Sequence, residues 1–455
     1  MKKILSLLIA ILFCSTYNVA LAKVDTNNNY RYGYVNIPFW QNFNDNNLLT
    51  NLNTVYKNNN DLKATSLKVS EAQKLVKISL ADELPHIGFN GNIKQTFKSS
   101  DEVFGNLTIP DYTETQFLLP LTLSYEIDIW GKNHLKTKAY KKKFEAMQQD
   151  EKTVYISMTS AFASDYYNLI KIDKLIEIQK ELINTQKAVV SAIDKKYNAG
   201  TANINQVITE RKSLTYLEEE LNNLLEKQDV LKNQMSVILA DRSFQDISRT
   251  SYNDINAKVA IPKEISTSVL TSRPDNVKSE LNLEKIGIDV KVARRELLPK
   301  FNLVGNLGFN AYNLSSANTF LANIAVAPTW DLFMGGKKIQ LLKLQKDEYK
   351  IALEHYDKTL LKSIQETNDA LYTLKSINGK YSIANDRHAL SKVETILVQK
   401  KENLGIADKL NSLYQKEIEL VTEQQVVSLK VNELIAMINL YQALGGINFF
   451  NAENL

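Results

Sequence analysis

The sequence predicts a mixed α and β membrane protein made of one duplicated unit: helix, strand, strand, long helical hairpin. Three observations predict it: landmarks that recur at one spacing, period-two stripes with one apolar face, and heptads sustained over long stretches. Tyr125, Asp128, Trp130, Gly131 and Lys132 return as Trp330, Asp331, Phe333, Gly335, Gly336 and Lys337. Gly131, Tyr167, Gly200 and Leu239 reappear as Gly336, Tyr372, Gly405 and Leu444, each 205 residues on. Upstream, Asp61 and Pro85 map to Asp275 and Pro299 at an offset of 214. The surplus of about nine residues falls between Pro85 and Asp128, in the kind of loop where insertions collect.

The organisation that follows is an export signal at 1–22, an N-terminal extension at 23–57, a first repeat at 58–257, a second at 258–446 and a tail at 447–455. Lys2 and Lys3, the apolar run Ile4 to Phe13 and Ala20-Leu21-Ala22 make the signal. The one cysteine, Cys14, lies inside it. It is lost with the signal, or it is an acylated lipoprotein cysteine, a reading that the bulky Phe13 before it disfavours. With 55 Lys and Arg against 51 Asp and Glu, nothing points to nucleic acid. After the signal no run of apolar residues is long enough for a membrane-spanning helix. An exported chain of this kind still enters a membrane if its strands close into a barrel.

Each repeat opens with a helix. Asp61 and Asp275 are expected as N-caps, with Pro274 suited to a first turn. Both helices should stop before Pro85 and Pro299, because proline disfavours helical geometry in the residue before it. Strands are then expected near 86–98, 115–127, 300–312 and 320–332. Phe301, Leu303, Gly305, Leu307 and Phe309 alternate with Asn302, Val304, Asn306, Gly308 and Asn310. The other strands carry the same kind of stripe in Phe89 and Ile93, in Phe117, Leu119 and Leu121, and in Ile324 and Val326. A soluble sandwich would face such a stripe to a core. Small polar and glycine residues opposite it, with the export signal, point instead to lipid outside and water inside. Four strands cannot close a barrel, which needs about eight, so several chains must share one.

Helical hairpins are expected at about 133–240 and 337–445. Leu169, Ile176, Ile183, Val190 and Tyr197 recur every seven residues, as do Leu413, Leu420, Val427, Leu434 and Tyr441. Sustained heptads predict coiled-coil packing. Gly200 and Gly405 supply the glycine that an antiparallel helical turn wants at its C-cap.

Taken together, the signal, the duplicated unit, Asn60-Asp61-Leu62-Lys63-Ala64, Arg273-Pro274-Asp275, Tyr125 to Lys132 and the glycine turns resemble the TolC family of outer membrane efflux proteins. The likeness runs from about Asn58 to Gly446. It implies a homotrimer whose chains share one 12-stranded outer-membrane barrel, continued by a periplasmic α-helical coiled-coil tunnel. It also implies a channel of a tripartite efflux or type I secretion system, working with a periplasmic adaptor and an inner-membrane transporter. No cofactor is implied. Adaptor contact would fall on the tips, Gly200, Thr201, Ala202, Leu404, Gly405, Ile406 and Ala407.

Some relatives carry aspartates six and nine residues after the second tip glycine. Here Asn411 and Tyr414 stand there, and Gln206 holds the first position in the other copy. Residues that lock the tip in some relatives correspond to Glu402 and Ala407. A polar aperture with a weak acidic ring is therefore expected. Lys401 and Asp408 are either a substitute charge arrangement or ordinary solvated residues. Trp130 and Phe333 are expected as interfacial anchors, and Asp128 and Asp331 as helix caps. The basic run Lys136, Lys138, Lys141, Lys142 and Lys143 fits a solvated helix face, or a place for phosphate or lipid headgroups below the strands. The histidines His86, His134, His355 and His388 are scattered without metal-ligand spacing, and no nucleophile motif is present. A secreted structural or adhesive coiled-coil protein outside lipid is the rival reading.

Overall fold

The computed structural model describes residues 34, 36–98, 103–104, 107–108, 112–243, 246–262, 265–312 and 319–450. The export segment, Cys14, most of both polar strand loops and residues 451–455 lie outside them. In chain order the helices and strands are α1 (Ile37–Gln41), α2 (Asn46–Asn58), α3 (Asn60–Ala81), β1 (His86–Phe89), β2 (Asn92–Lys98), β3 (Val103–Phe104), β4 (Leu107–Thr108) and β5 (Tyr112–Ile127). Then come α4 (Lys132–Asn198), α5 (Ile204–Leu239), α6 (Thr267–Thr271), α7 (Pro274–Arg295), β6 (Lys300–Tyr312), β7 (Thr319–Thr329), α8 (Lys337–Asn403) and α9 (Lys409–Ala443). The duplication is written in the lengths. Helices α3 and α7 have 22 residues each, and α4 and α8 have 67 each.

The residues divide into two compact units. The first comprises Ser70–Met147 and Ser279–His355 and holds the sheet. Strands β1 and β2 both pair with β5, which pairs with β6, which pairs with β7, all antiparallel. The registers of β1 and β2 on β5 are continuous: Phe89 sits opposite Leu121 and Asn92 opposite Leu118. They are one strand with a gap at Asn90 and Gly91. The cause is Pro120, whose carbonyl accepts from the Asn90 N–H at 3.2 Å but which has no N–H to return.

Register assembles the stripes into rows. Phe89, Leu121, Leu307 and Ala322 form one, Leu123, Gly305 and Ile324 the next, and Tyr125, Leu303 and Val326 another. Phe89, Ile93, Phe309, Ile324 and Val326 are all more than half exposed, in an unbroken apolar field. Leu119 pairs with Phe309 in the backbone ladder, but its side chain lies outside the described residues. The opposite face is mixed: Thr122, Asn306 and Asn323 share a polar row and Gln116 donates to Asn310 at 3.1 Å, while Pro120, Gly308 and Leu321 share an apolar one. Strand β7 ends at Thr329, short of the expected 332, where Pro328 removes a ladder donor.

The second unit comprises the described parts of Asn27–Val69, Gln148–Lys278 and Tyr356–Leu455. Its core gathers Tyr166, Tyr167, Val431, Leu434, Met437 and Tyr441 with Phe39, Trp40, Phe43 and Leu48. The N-terminal extension thus contributes Phe39, Trp40, Phe43, Leu48, Leu52 and Val55 to the core. Phe39 stacks on Tyr441 with centroids 4.0 Å apart. Phe449, expected in a tail, is also buried there. A buried carboxylate fastens the segment: Asp45 caps α2 at the Leu48 N–H and accepts from the Tyr166 hydroxyl at 2.9 Å and from Thr250 at 2.8 Å.

Two expectations are corrected. Asp61 and Asp275 are not N-caps. The Asn59 side chain caps α3 by accepting from the N–H groups of Asp61 and Leu62, and Asp275 instead clamps Arg273, which also reaches Glu366 and the Ala443 carbonyl. The heptad column in α4 drifts as well. Leu169, Ile176 and Ile183 are buried, but near the tip Leu182, Val189 and Ile193 take over and Tyr197 is exposed. A straight helix turns about 20° per heptad away from a seven-residue repeat, so the buried stripe steps to the next column.

Glycines with positive φ differ in what surrounds them. At Gly405 (φ 73°) a Cβ would meet nothing within 4 Å, whereas at Gly446 (φ 84°) it would lie 2.8 Å from Ile156 Cδ1. Gly405→Ala should therefore cost about 1–2 kcal/mol of local backbone strain, and Gly446→Ala that plus roughly 1–3 kcal/mol of overpacking. Thermal unfolding of the two variants side by side checks this; equal melting temperatures would contradict it.

Candidate functional site

Two places in the fold carry the residues singled out from sequence: the junctions where strand becomes long helix, and the hairpin tips. At the first junction Asp128 accepts from the His134 N–H at 2.9 Å, capping the start of α4. Its counterpart Asp331 does not cap. It pairs with Lys338 at 3.0 Å. The Trp130 indole donates to the Pro299 carbonyl at 2.8 Å, and the Trp330 indole donates to Leu297 in the same turn at 3.2 Å. Both rings keep an exposed face, as does Phe333, which is 89% exposed. Two tryptophans thus grip the α7–β6 turn with their polar edges and leave their apolar faces outward. Trp330 was legible as an aromatic at the right place but not as a partner of that turn.

At the tips both glycines close the helix as expected. Gly200 and Gly405 have φ of 72° and 73°. The N–H groups of Thr201 and Ile406 then reach back to the carbonyls of Lys196 and Lys401 at 2.9 and 2.8 Å. The tips present different chemistry: Leu404 and Ile406 are 74% and 73% exposed, against the small Thr201 and Ala202 on the other.

The aperture residues separate into different roles. Gln206 is engaged in a capping box, its side chain accepting from the Asn203 N–H at 3.1 Å. Asp408 is the N-cap of α9 and forms an ion pair with Lys196 of the other hairpin. The pairing is thus with Lys196 rather than Lys401, whose side chain is exposed. The Lys196 ammonium draws the Asp408 carboxyl below its usual range. Asn411 is exposed in the first turn of α9. Tyr414 donates to Glu210 at 2.8 Å, and Gln186 donates to the other Glu210 oxygen at 2.8 Å. Glu417, also on α9, has a buried oxygen Oε1 without a hydrogen-bond partner. Lys196, Glu210 and Glu417 were not singled out from sequence, since nothing in a heptad marks which polar residues meet across two hairpins. Among the described residues no three His, Cys, Asp or Glu side chains form a metal cluster, and no helix is long and apolar enough to cross a membrane.

Known proteins share this arrangement. The Cation efflux system protein CusC of Escherichia coli is 24% identical over 413 residues, covering 89% of this chain and 87% of its own length. The Pyoverdine export outer membrane protein OpmQ of Pseudomonas putida is 24% identical over 407 residues, covering 86% and 83%. Among solved structures, the CmeC outer membrane channel of Campylobacter jejuni superposes with a TM-score of 0.79 at 25% identity, over 90% of this chain and 87% of its own. The open-state MtrE outer membrane channel of Neisseria gonorrhoeae gives 0.78 at 18% identity, over 88% and 89%. The family model for the outer membrane efflux protein matches residues 51–239 and 265–446, so that each match holds one pair of principal strands and one helical hairpin. The chain therefore belongs to the outer membrane efflux protein family, and its place is the outer membrane of a Gram-negative bacterium.

Proposed function

We propose that the chain is the passive exit duct of a tripartite efflux or type I secretion system, assembled as a homotrimer around one 12-stranded barrel. The observation that carries this reading is the sheet. Its apolar field suits lipid, yet β7 and the β1–β2 strand have no neighbour on their outer sides among the described residues. In hydrocarbon such edges must be paired, and a ring of copies does that by setting β7 of each against the β1–β2 strand of the next. An adhesive coiled coil outside lipid leaves the same field unexplained. A second feature supports self-assembly: Ile383, Leu390 and Leu397 on α8 recur every seven residues and are all more than half exposed. That is a heptad seam without a partner in its own chain.

In this reading the tips receive a periplasmic adaptor and the inner-membrane transporter selects cargo and supplies the energy, with no catalytic step in this chain. The exposed Leu404 and Ile406 are the adaptor's apolar anchors, and Thr201 and Ala202 permit close approach. The aperture is polar. Asp408 is neutralised by Lys196, leaving Asn411 and the Tyr414–Glu210 bond as its principal features.

Three outcomes test the proposal. Wild-type chain should fractionate with the outer membrane as heat-modifiable trimers, and Leu390→Asp should shift most of it to monomer in the same gel; soluble extended wild-type monomers would end the duct reading. In planar bilayers the open channel should be weakly cation-selective. Lys196→Ala should raise that preference by roughly two- to fivefold, the scale of an exposed charge worth about 0.5–1 kcal/mol; an unchanged ratio would remove Asp408 from the conduction path. The third concerns pH. Burial, with repulsion from Glu210 added, pushes the Glu417 carboxyl from its ordinary 4.5 up to about 7. The folded tip thus holds a proton that the unfolded chain releases, so its stability falls as pH rises from about 5 to about 7. Amide exchange in α5 and α9, corrected for intrinsic rates, should be faster at pH 8 than at pH 6, and Glu417→Gln should abolish the difference.

A further inference from the structure

Directly beyond the sheet, both long helices begin with a run of lysines and no acidic residue among them. Lys132–Lys143 contains six lysines and Lys337–Lys346 four, with no acidic residue in either segment, in a chain whose formal charge is only +4. The two copies have otherwise diverged here. Between Gly131 and Phe144, four residues are identical to those 205 positions on: the glycine and three lysines, Lys132, Lys138 and Lys141, matching Lys337, Lys343 and Lys346. Acidic residues return immediately below, at Glu145 in α4 and at Asp347 and Glu348 in α8. The lysines therefore form a band with a lower limit.

Some members have structural work. Lys132 is buried against Glu126 and Glu296, Lys142 pairs with Glu145 and Glu284, and Lys338 with Asp331. Six others, Lys138, Lys141, Lys143, Lys337, Lys343 and Lys346, are exposed and make no ion pair among the described residues. Lys337 also sits in a first helical turn, where the partial positive charge of the helix end favours an anion nearby. Neither helix has an acidic residue in its first turn. Exposed cations that recur in both copies without an acidic partner among the described residues call for an anion outside the chain.

We propose that this band binds the headgroups of anionic phospholipids in the periplasmic leaflet of the outer membrane; the proposal rests on the barrel reading above. Geometry selects the leaflet. Side chains on a helix lean toward its N-terminus, which in both helices is the end joined to the strands. Lys138 and Lys343 stand about 10 Å, and Lys141 and Lys346 about 15 Å, beyond the junction glycines at 1.5 Å per residue. A lysine stem leaning back can carry its ammonium to within about a Debye length, roughly 8 Å, of the headgroup layer. The exposed indoles of Trp130 and Trp330 lie at the junctions themselves, where aromatic residues mark the interface. The phosphate of phosphatidylglycerol is the matching anion.

The test uses the full chain, assembled and reconstituted into phosphatidylcholine vesicles containing spin-labelled phosphatidylglycerol or spin-labelled phosphatidylcholine. The wild type should enrich the anionic label in its lipid annulus by about threefold, falling toward parity in high salt. The quadruple variant Lys138→Gln, Lys141→Gln, Lys343→Gln, Lys346→Gln should show parity throughout. The charge-matched variant Lys358→Gln, Lys375→Gln, Lys392→Gln, Lys400→Gln, farther along α8, should keep the enrichment. Enrichment that survives in the first variant, or is lost equally in both, overturns the proposal. So does a first variant that keeps its lipid preference but no longer captures the adaptor, which assigns the band to a protein partner. A wild type that enters the vesicles without preference sinks the band alone; one that fails to enter sinks the barrel reading and the band together.

Discussion

Backbone hydrogen bonding in hydrocarbon is the constraint on which the rest of this molecule depends. A strand that faces lipid has no water to satisfy its N–H and C=O groups, and each one left open costs several kcal/mol. Strands β5 and β6 are flanked on both sides, while β7 and the broken β1–β2 strand are flanked on one. The break between β1 and β2, at Pro120, is confined to a single missing donor and leaves the register intact. Among the described residues the sheet is therefore paired within and open at both edges, the condition that the proposed assembly of copies would meet.

Duplication meets that condition economically. One chain supplies two strand pairs and two helical hairpins of matched length, yet the copies are held together by unlike contacts. In the second unit the segment 36–58 adds the aromatic plug of Phe39 and Trp40 and the Asp45 network, which have no equivalent in the second repeat. Near the tips the hairpins are linked by a four-residue apolar cluster, Val189, Ile193 and Val207 with Leu410, and by two polar pairs, Lys196 with Asp408 and Tyr414 with Glu210. The exposed pair is individually weak and the apolar cluster is small, so this end of the bundle is held more loosely than the aromatic core.

What was legible in the sequence had a period. The strand stripes, the glycine turns and the common offset all repeat, and residues such as Phe301 to Phe309 or Gly405 are located by counting. The features that were not legible lack one. Asn59 rather than Asp61 caps α3 because a boundary one or two residues off changes which side chain reaches the free N–H groups. Gln206 was expected at the aperture, but a capping box engages it. The partners of Asp408 and Tyr414 lie 212 and 204 residues away, and only packing decides which polar side chains meet. The aromatic cluster around Trp40 carried a compositional hint, but a short helix has too few turns to show a stripe.

The equal 67-residue spans of α4 and α8 have a consequence for how such a protein can change. Each is a ruler between a strand end and a tip, and the chain carries two of them. Removing one heptad from a single copy would displace its tip by about 10 Å relative to the other and put every buried residue beyond the cut against the wrong neighbour. Length can drift only if both copies lose or gain the same whole number of heptads. Individual side chains have been free to diverge between the halves, whereas helix length is inherited as a single shared quantity.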